Sequence, residues 1–560
     1  MRRPWLARLL CAMLCFLILA TLIACLPSGR DGNTELSGAQ TSTEGTTPLP
    51  QAPQLPNEEK TLHRVAYIPI DNRPVNRERV ALLADSVGIE LLMPREELYR
   101  TALDNMEPNA DGSVMGNREE LCAWLLETDK ICDHFIISLD QLTSGGLVSS
   151  RWLSNTDLTL EYKMVDTVLA LCKTNTVYVF DTVMRLASTV NYQGYQIDEY
   201  NAFRAYGRVG RKVLEGEELT LQNVVAGYPC DQNGNHIPTD LADAALAAYH
   251  ASRERKLKIT DYFLRSTADA VDFIYIGVDD SSPQNTIQTN EIRYIQTLMG
   301  ERGVLSAATD ELGLCCLSRM AAHFYGGAEV TLTYFGEGKD QPADGYDIGT
   351  LDESVQSHLS ALLATQKEQS GDALEVLLLT YGSTNAHREA LLQHLKKNQR
   401  EGIPSAIVDV SNAPERLAEM LMGDGEIDLC QLLGYSSWNT AANAIGIALS
   451  QSTARYSYLQ SVTVSTNRAN EGFLGAMTFA YVKDISYKCF DNTIEGLLQS
   501  RSPCSLESVL ERINQGRVIT SLKESFAPYL AEVSVSNFRY PWNRTFEMTF
   551  DITVIEKSGK

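Results

Sequence analysis

The chain has 560 residues, with 48 Lys and Arg against 71 Asp and Glu, for a formal net charge of −23. So acidic a chain argues against a nucleic-acid binder, which needs a basic face for the phosphates, and against a basic patch held on anionic lipid. Hydrophobic residues make up 44% of it, enough for a packed core and, at this length, for more than one domain.

The first element is a targeting segment. Arg2 and Arg3 precede an apolar run from Leu9 to Ile23, too short for a stable membrane span. The run ends in Leu22-Ile23-Ala24-Cys25, which resembles the bacterial lipobox. That resemblance implies a signal peptide over residues 1–24, cleavage before Cys25 and diacylglycerol on the Cys25 sulfur. Residues 25–60 are rich in Gly, Ser, Thr and Pro and nearly free of large apolar side chains, so they read as a tether that buries too little surface to fold. The expected location is the cell membrane, lipid-anchored on its extracytoplasmic face, with no other membrane contact.

From residue 61 to 514 strand-like and helix-like patterns alternate. The strand candidates are 64–71, 134–140, 176–182, 272–280, 303–311, 329–335, 375–382, 404–411 and 429–435. Continuous apolar strands separated by helices mark a parallel α/β sheet buried on both faces. The alternation favours a (β/α)8-like barrel over an open doubly wound sheet. Within this body, residues 183–271 are polar and helix-rich and read as a helical insertion or lid. Residues 515–560 alternate apolar with polar and read as an antiparallel β element. There is no GxGxxG, no P-loop and no GxSxG, so the sequence offers no support for a nucleotide cofactor or a hydrolase elbow. Nine cysteines follow Cys25 without a CxxC pair, and the histidines form no HxH or HExxH; neither a disulfide framework nor a zinc site is legible.

Acids fall where strands end: Asp71, Asp140, Asp181, the pair Asp279-Asp280, the pair Asp310-Glu311, and Asp409. In parallel α/β folds the carboxyl ends of the strands share one rim, so such acids converge in space. A single Asp there is also a good helix cap, and Asp181 and Asp409 can remain in that role. A cap uses only one carboxylate of a pair, and adjacent desolvated carboxylates push one pKa upward, the usual way to make a general acid. Polar companions gather beside them: Asn72, Arg73 and Asn76 after the first strand, Gly145-Gly146 and Arg151 after Asp140, Asn285 and Glu291 after the DD pair, and Trp438, Asn439 and Asn443 at a later strand-to-helix turn. An aromatic plane with amide donors suits a sugar ring. Asp71, Arg73, Asp140, Asp279, Asp280, Asp310, Glu311, Trp438 and Asn439 are expected to line one pocket.

The stretches IPIDNRPVN, SLDQLTSGGLVSSR, GVDDSSPQNTIQTNE, ATDELGLCCLSR, GYSSWNTAANAIG and RYPWNRTFE resemble the motif series of the bacterial DUF4127 family across most of 64–550. Thr309 stands where that series has Ala. The DD pair at the end of a middle strand is similar, by analogy alone, to retaining hexosaminidases that use the acetamido group of their substrate.

Together these features favour an exported carbohydrate-active enzyme, a glycoside hydrolase acting on a small-molecule or glycan substrate. Asp280 is assigned as acid and Asp279 as orienting base, with Asp310 or Glu311 as alternative partner. No cofactor is expected. Two alternatives stay open: a hydrolase holding a divalent metal through Asp71, Asp140, Asp279, Asp280 and Glu311, and a non-catalytic solute- or glycan-binding lipoprotein.

The lipobox generates a direct test. Cys25→Ser is expected to abolish labelling by a fatty-acid analogue and to release the protein from the membrane fraction. A substituted protein that still labels and sediments with membranes would overturn the anchor.

Overall fold

A computed structural model describes residues 62–267, 270–368, 371–463, 465–485 and 530–556. The signal segment, Cys25, the tether and the first part of the expected C-terminal β element lie outside these residues. The parallel strands divide between two sheets. The first contains β1 (His63–Ile68), β2 (Ile89–Leu92), β3 (His134–Ser138), β4 (Thr176–Val183), β5 (Phe273–Val278) and β6 (Gly303–Ala307), in the order β2-β1-β3-β4-β5-β6. The second contains β7 (Glu329–Phe335), β8 (Thr365–Gln366), β9 (Leu374–Leu379), β10 (Ser405–Asp409) and β11 (Leu432–Ser436), in the order β8-β7-β9-β10-β11. Every pairing within both is parallel. The C-terminal strands β12 (Leu530–Arg539) and β13 (Thr549–Glu556) form an antiparallel pair.

Both parallel sheets reverse their direction of growth beside their first strand, which leaves a crevice at the carboxyl ends of the strands. The strands form because their side chains are apolar on both faces. In β5, Phe273 and Tyr275 enter one core while Ile274, Ile276 and Val278 enter the other. The same alternation holds in β1, where Val65 and Tyr67 oppose Ala66 and Ile68.

A helix pair joins the two sheets. The helix Leu312–Tyr325 packs on β3, β4 and β5, the helix Ala441–Ser461 packs on β9, β10 and β11, and the two pack on each other. Small residues permit the approach. A side chain at Gly446 would meet Glu311 Cγ at 2.4 Å, and one at Gly313 would meet the Tyr67 hydroxyl at 2.2 Å.

The stretch 183–271 is helical at Ile197–Arg208, Leu221–Ala226 and Asp243–Thr267, and Phe203, Tyr206, Leu257 and Phe263 carry it onto the second core. The long helix also brings Lys256 beneath the sheet. Its ammonium lies 2.6 Å from Asp140 and pairs with Asp181, while Thr260 donates to Asp181 at 2.7 Å and Thr182 to Asp140 at 2.7 Å. All three charged groups are buried. Among the described residues no helix is long and apolar enough to cross a membrane, and the described cysteines are free thiols.

Removing one member of a buried charge cluster leaves the others uncompensated, a loss of about 3–5 kcal/mol. Lys256→Met is therefore expected to lower the unfolding temperature at pH 7 by several degrees in a thermal melt. An unchanged melt would show that this ammonium does not hold the insertion to the sheet.

Candidate functional site

At the carboxyl ends of the first sheet lies a cavity of about 210 Å³. It is below the ~300–1,000 Å³ usual for drug-sized ligands, so it suits a small occupant. Its floor comes from the turns after β1, β3, β4, β5 and β6. Tyr346 and Asp347 after β7, Asn439 to Asn443 after β11, and Trp542 to Phe546 between β12 and β13 complete it.

Arg73 organises the site. The turn after β1 folds because Asp71 accepts from the backbone N–H of Arg73 at 3.0 Å and from Asn76 at 2.8 Å. Asp71 also accepts from Arg73 Nε at 2.9 Å, so the guanidinium is fixed. From there Arg73 reaches Asp310 at 2.5 Å and Glu547 at 3.2 Å, and its face lies 4.8 Å from the Trp542 ring centre. Asp310 follows β6, and burial pushes its pKa up to about 7, with Glu547 and Asp71 adding to the rise against the pull of Arg73.

The DD pair divides its duties. Asp279 is buried and pairs with Arg151, whose other terminal nitrogen donates to Thr189 at 2.7 Å. The Thr309 hydroxyl donates to Asp279 at 3.3 Å. Burial raises the pKa of Asp279. Asp280 instead keeps 29% of its side chain exposed and accepts from Arg185 at 3.0 Å. Arg185 is fixed in turn by donating to the Ala187 and Ser188 carbonyls at 2.8 Å each. On the far wall, burial and the neighbouring Asp344 push Asp347 up to about 7, and its Oδ2 is buried without a hydrogen-bond partner.

Three non-glycine residues lining the cavity hold positive φ: Asp280 at 28°, Asn439 at 59° and Trp542 at 56°. Asn tolerates that region; for Asp280 and Trp542 the cost is about 1–3 kcal/mol each, a strain that persists only where the surroundings enforce it.

Of the residues expected from sequence, Arg73, Arg151, Asp279, Asp280, Asp310, Asn439 and Asn443 line this cavity. The others stand elsewhere. Asp71 is behind Arg73, fully buried. Asp140 belongs to the Lys256 cluster beneath the sheet. Asn72 turns to Glu96 at 3.1 Å and to the Thr101 N–H. Asn285 ties down the backbone of Arg211, donating to its carbonyl at 2.7 Å. Glu291 is a buried partner of Arg253 and Tyr228. Glu311 is buried behind the wall, accepting from Asn443 at 2.5 Å and lying 3.4 Å from His358. Trp438, expected as a sugar platform, is fully buried and donates its indole N–H to the Phe546 carbonyl at 2.7 Å. The aromatic residue on the cavity is Trp542.

Arg185, Thr189, Tyr346, Asp347, Trp542 and Arg544 are site residues that the sequence reading missed. RYPWNRTFE did hold a signal: a Trp and an Arg interrupt an otherwise alternating β pattern. Among the described residues no group of three or more His, Cys, Asp or Glu is arranged to hold a metal ion. The five acids considered as metal ligands are spread over separate networks, four of them on Arg or Lys and Glu311 on Asn443 and His358.

The motifs that build this cavity, from the first strand to RYPWNRTFE, fall within one family model, described as "Protein of unknown function (DUF4127)", which matches residues 65–551. The chain belongs to DUF4127. No curated protein and no solved structure matches it. The chemistry of this DUF4127 cavity therefore rests on its own residues, among them Asp279, Asp280 and Asp310, each paired with an arginine.

Asp310 offers a physical test of that balance. Folded, it keeps its proton up to about pH 7; unfolded, it loses it near the ordinary value of 3.8. Between those values the native state binds more protons than the unfolded chain, so this group makes stability fall as pH rises. Asp310→Asn removes the term. The unfolding temperature of the unsubstituted protein is expected to fall relative to that of the variant from pH 3.8 to about 7, and parallel curves would refute the protonation.

Proposed function

We propose that this DUF4127 chain is an exported carbohydrate-active enzyme, a glycoside hydrolase acting on a small glycoside or glycan end. The observation that carries the reading is the unequal setting of two carboxyl groups on one small cavity. Asp310 is buried, with its pKa pushed up to about 7, while Asp280 lines the same space with its side chain partly exposed. Glycosidic cleavage needs that inequality, one group to protonate the leaving oxygen and one to attack or to activate water.

In this scheme the acid role moves from Asp280 to Asp310. Asp280, which lines the cavity and is partly exposed, supplies the second carboxylate. Asp279 holds Arg151 in place and is a positioning residue. Asn439 and Trp542 line the same cavity and would border the sugar there. The exported, lipid-anchored location through Cys25 belongs to the same proposal; it draws on the lipobox and suits an enzyme that meets glycans outside the cell. The acidic chain gives no basis for a nucleic-acid partner.

A second reading is a non-catalytic binding lipoprotein. It is favoured by one feature: Asp279, Asp280 and Asp310 are all engaged by arginines.

The two readings separate in a screen of the purified full-length chain against chromogenic glycosides and complex glycans. The enzyme reading expects turnover that survives EDTA and dialysis. Asp310→Asn is expected to lower kcat by about 10²- to 10⁴-fold on glycosides with poor leaving groups and much less on activated aryl glycosides. The activity of the unsubstituted enzyme should fall as pH rises past about 7, as the acid loses its proton. Binding without turnover across the panel would sink the enzyme reading in favour of the second.

A further inference from the structure

The arginines of the cavity are not equivalent. Arg73 contacts Asp71, Asp310 and Glu547, Arg151 pairs with Asp279, and Arg185 pairs with Asp280. Arg544 also lines the cavity, yet its guanidinium has no ion pair and no side-chain hydrogen bond among the described residues. It lies 5.3 Å from the Trp542 ring centre and 5.7 Å from that of Phe546, so aromatic faces support its position and leave its donors unclaimed. Glu547 acts on it only at longer range and is already engaged by Arg73. The Arg544 side chain is half-buried and its five donors face the cavity, so an acceptor that enters there can take them. Burial, and the positive charges of Arg73, Arg185 and Arg151, lower its pKa to about 10, so it remains charged at neutral pH. Nearby, the buried Nε of Arg151 is likewise without a partner.

We infer that Arg544 is the recognition residue for an anionic group on the ligand, a carboxylate, phosphate or sulfate carried by a small sugar, bound bidentately in the space the other three arginines leave open. A planar guanidinium fork matches two oxygens of such a group, and the low dielectric of the cavity strengthens the pair. The sugar identity rests on the glycoside reading; the anion requirement rests on Arg544 alone.

The test is calorimetric titration of the full-length chain with glucose, glucuronate, glucose 6-phosphate and glucose 6-sulfate at constant ionic strength, with inorganic phosphate and sulfate as separate arms. At least one anionic sugar is expected to bind tenfold or more tightly than glucose, and the arm that does so identifies the group. Arg544→Gln should erase that preference, and Arg544→Lys should recover part of it. The lysine variant, together with near-UV circular dichroism of both, distinguishes lost recognition from lost folding. Equal affinity for glucose and all three anionic sugars, or an Arg544→Gln protein that folds and keeps the preference, would overturn the inference. Turnover of neutral glycosides without any anion preference would sink it while leaving the hydrolase reading intact. Anion-selective binding without turnover would do the reverse. Tight binding of free phosphate or sulfate with no preference among the sugars would overturn the sugar-borne anion.

Discussion

Arg73 draws three carboxylates from three distant stretches of chain onto one guanidinium. Asp71 lies two residues away, Asp310 at the end of the sixth strand, and Glu547 between the two C-terminal strands. All four groups are buried. A buried cation of this kind is costly unless it is paired, and a buried carboxylate needs a cation or hydrogen-bond donors beside it. The contact therefore fixes the first turn of the sheet, the turn after β6 and the C-terminal segment against one another, and the cavity is the space they enclose.

The same constraint sets the chemistry. Burial raises the pKa of Asp310 to about 7, and the neighbouring Glu547 and Asp71 add to the rise against the pull of Arg73. Strain accompanies it. Asp280 and Trp542 hold backbone angles that they would abandon in a free loop, which the surrounding packing enforces. A small cavity lined by buried ion pairs is an electrostatic environment in which small differences in the charge of a ligand carry large energies.

Rigidity comes from the architecture beneath. Both sheets are covered on both faces, and the helices Leu312–Tyr325 and Ala441–Ser461 join them through contacts such as Ser318 with Thr453 and Ser450 with Cys315, with no room for a side chain at Gly446. Glu311 and Asn443 sit at the start of these helices and bond to each other, so the joint between the sheets also forms one wall of the cavity. Gly446 shows how tight that joint is, since an added carbon there would strike Glu311 itself.

The sequence by itself determined the parallel α/β class, because apolar runs such as Phe273–Val278 can be satisfied only by a strand covered on both faces. It also put acids at strand ends, and seven of the residues named from their neighbourhood line the cavity. The short edge strands β2 and β8 were not legible, since four and two residues carry too little periodicity to register. Nor was the division of the strands between two sheets, because alternation records the order of elements and not their pairing. Only the tertiary structure decided which acids face the ligand. Asp140 and Asp280 both end apolar strands, yet Lys256, more than a hundred residues beyond the first, claims Asp140 for the interior. The burial of Trp438, the exposure of Trp542 to the cavity and the unclaimed donors of Arg544 were settled in the same way. The fate of a charged or aromatic side chain depends on which partners the fold brings within a few ångströms, and no local pattern in the chain encodes that distance.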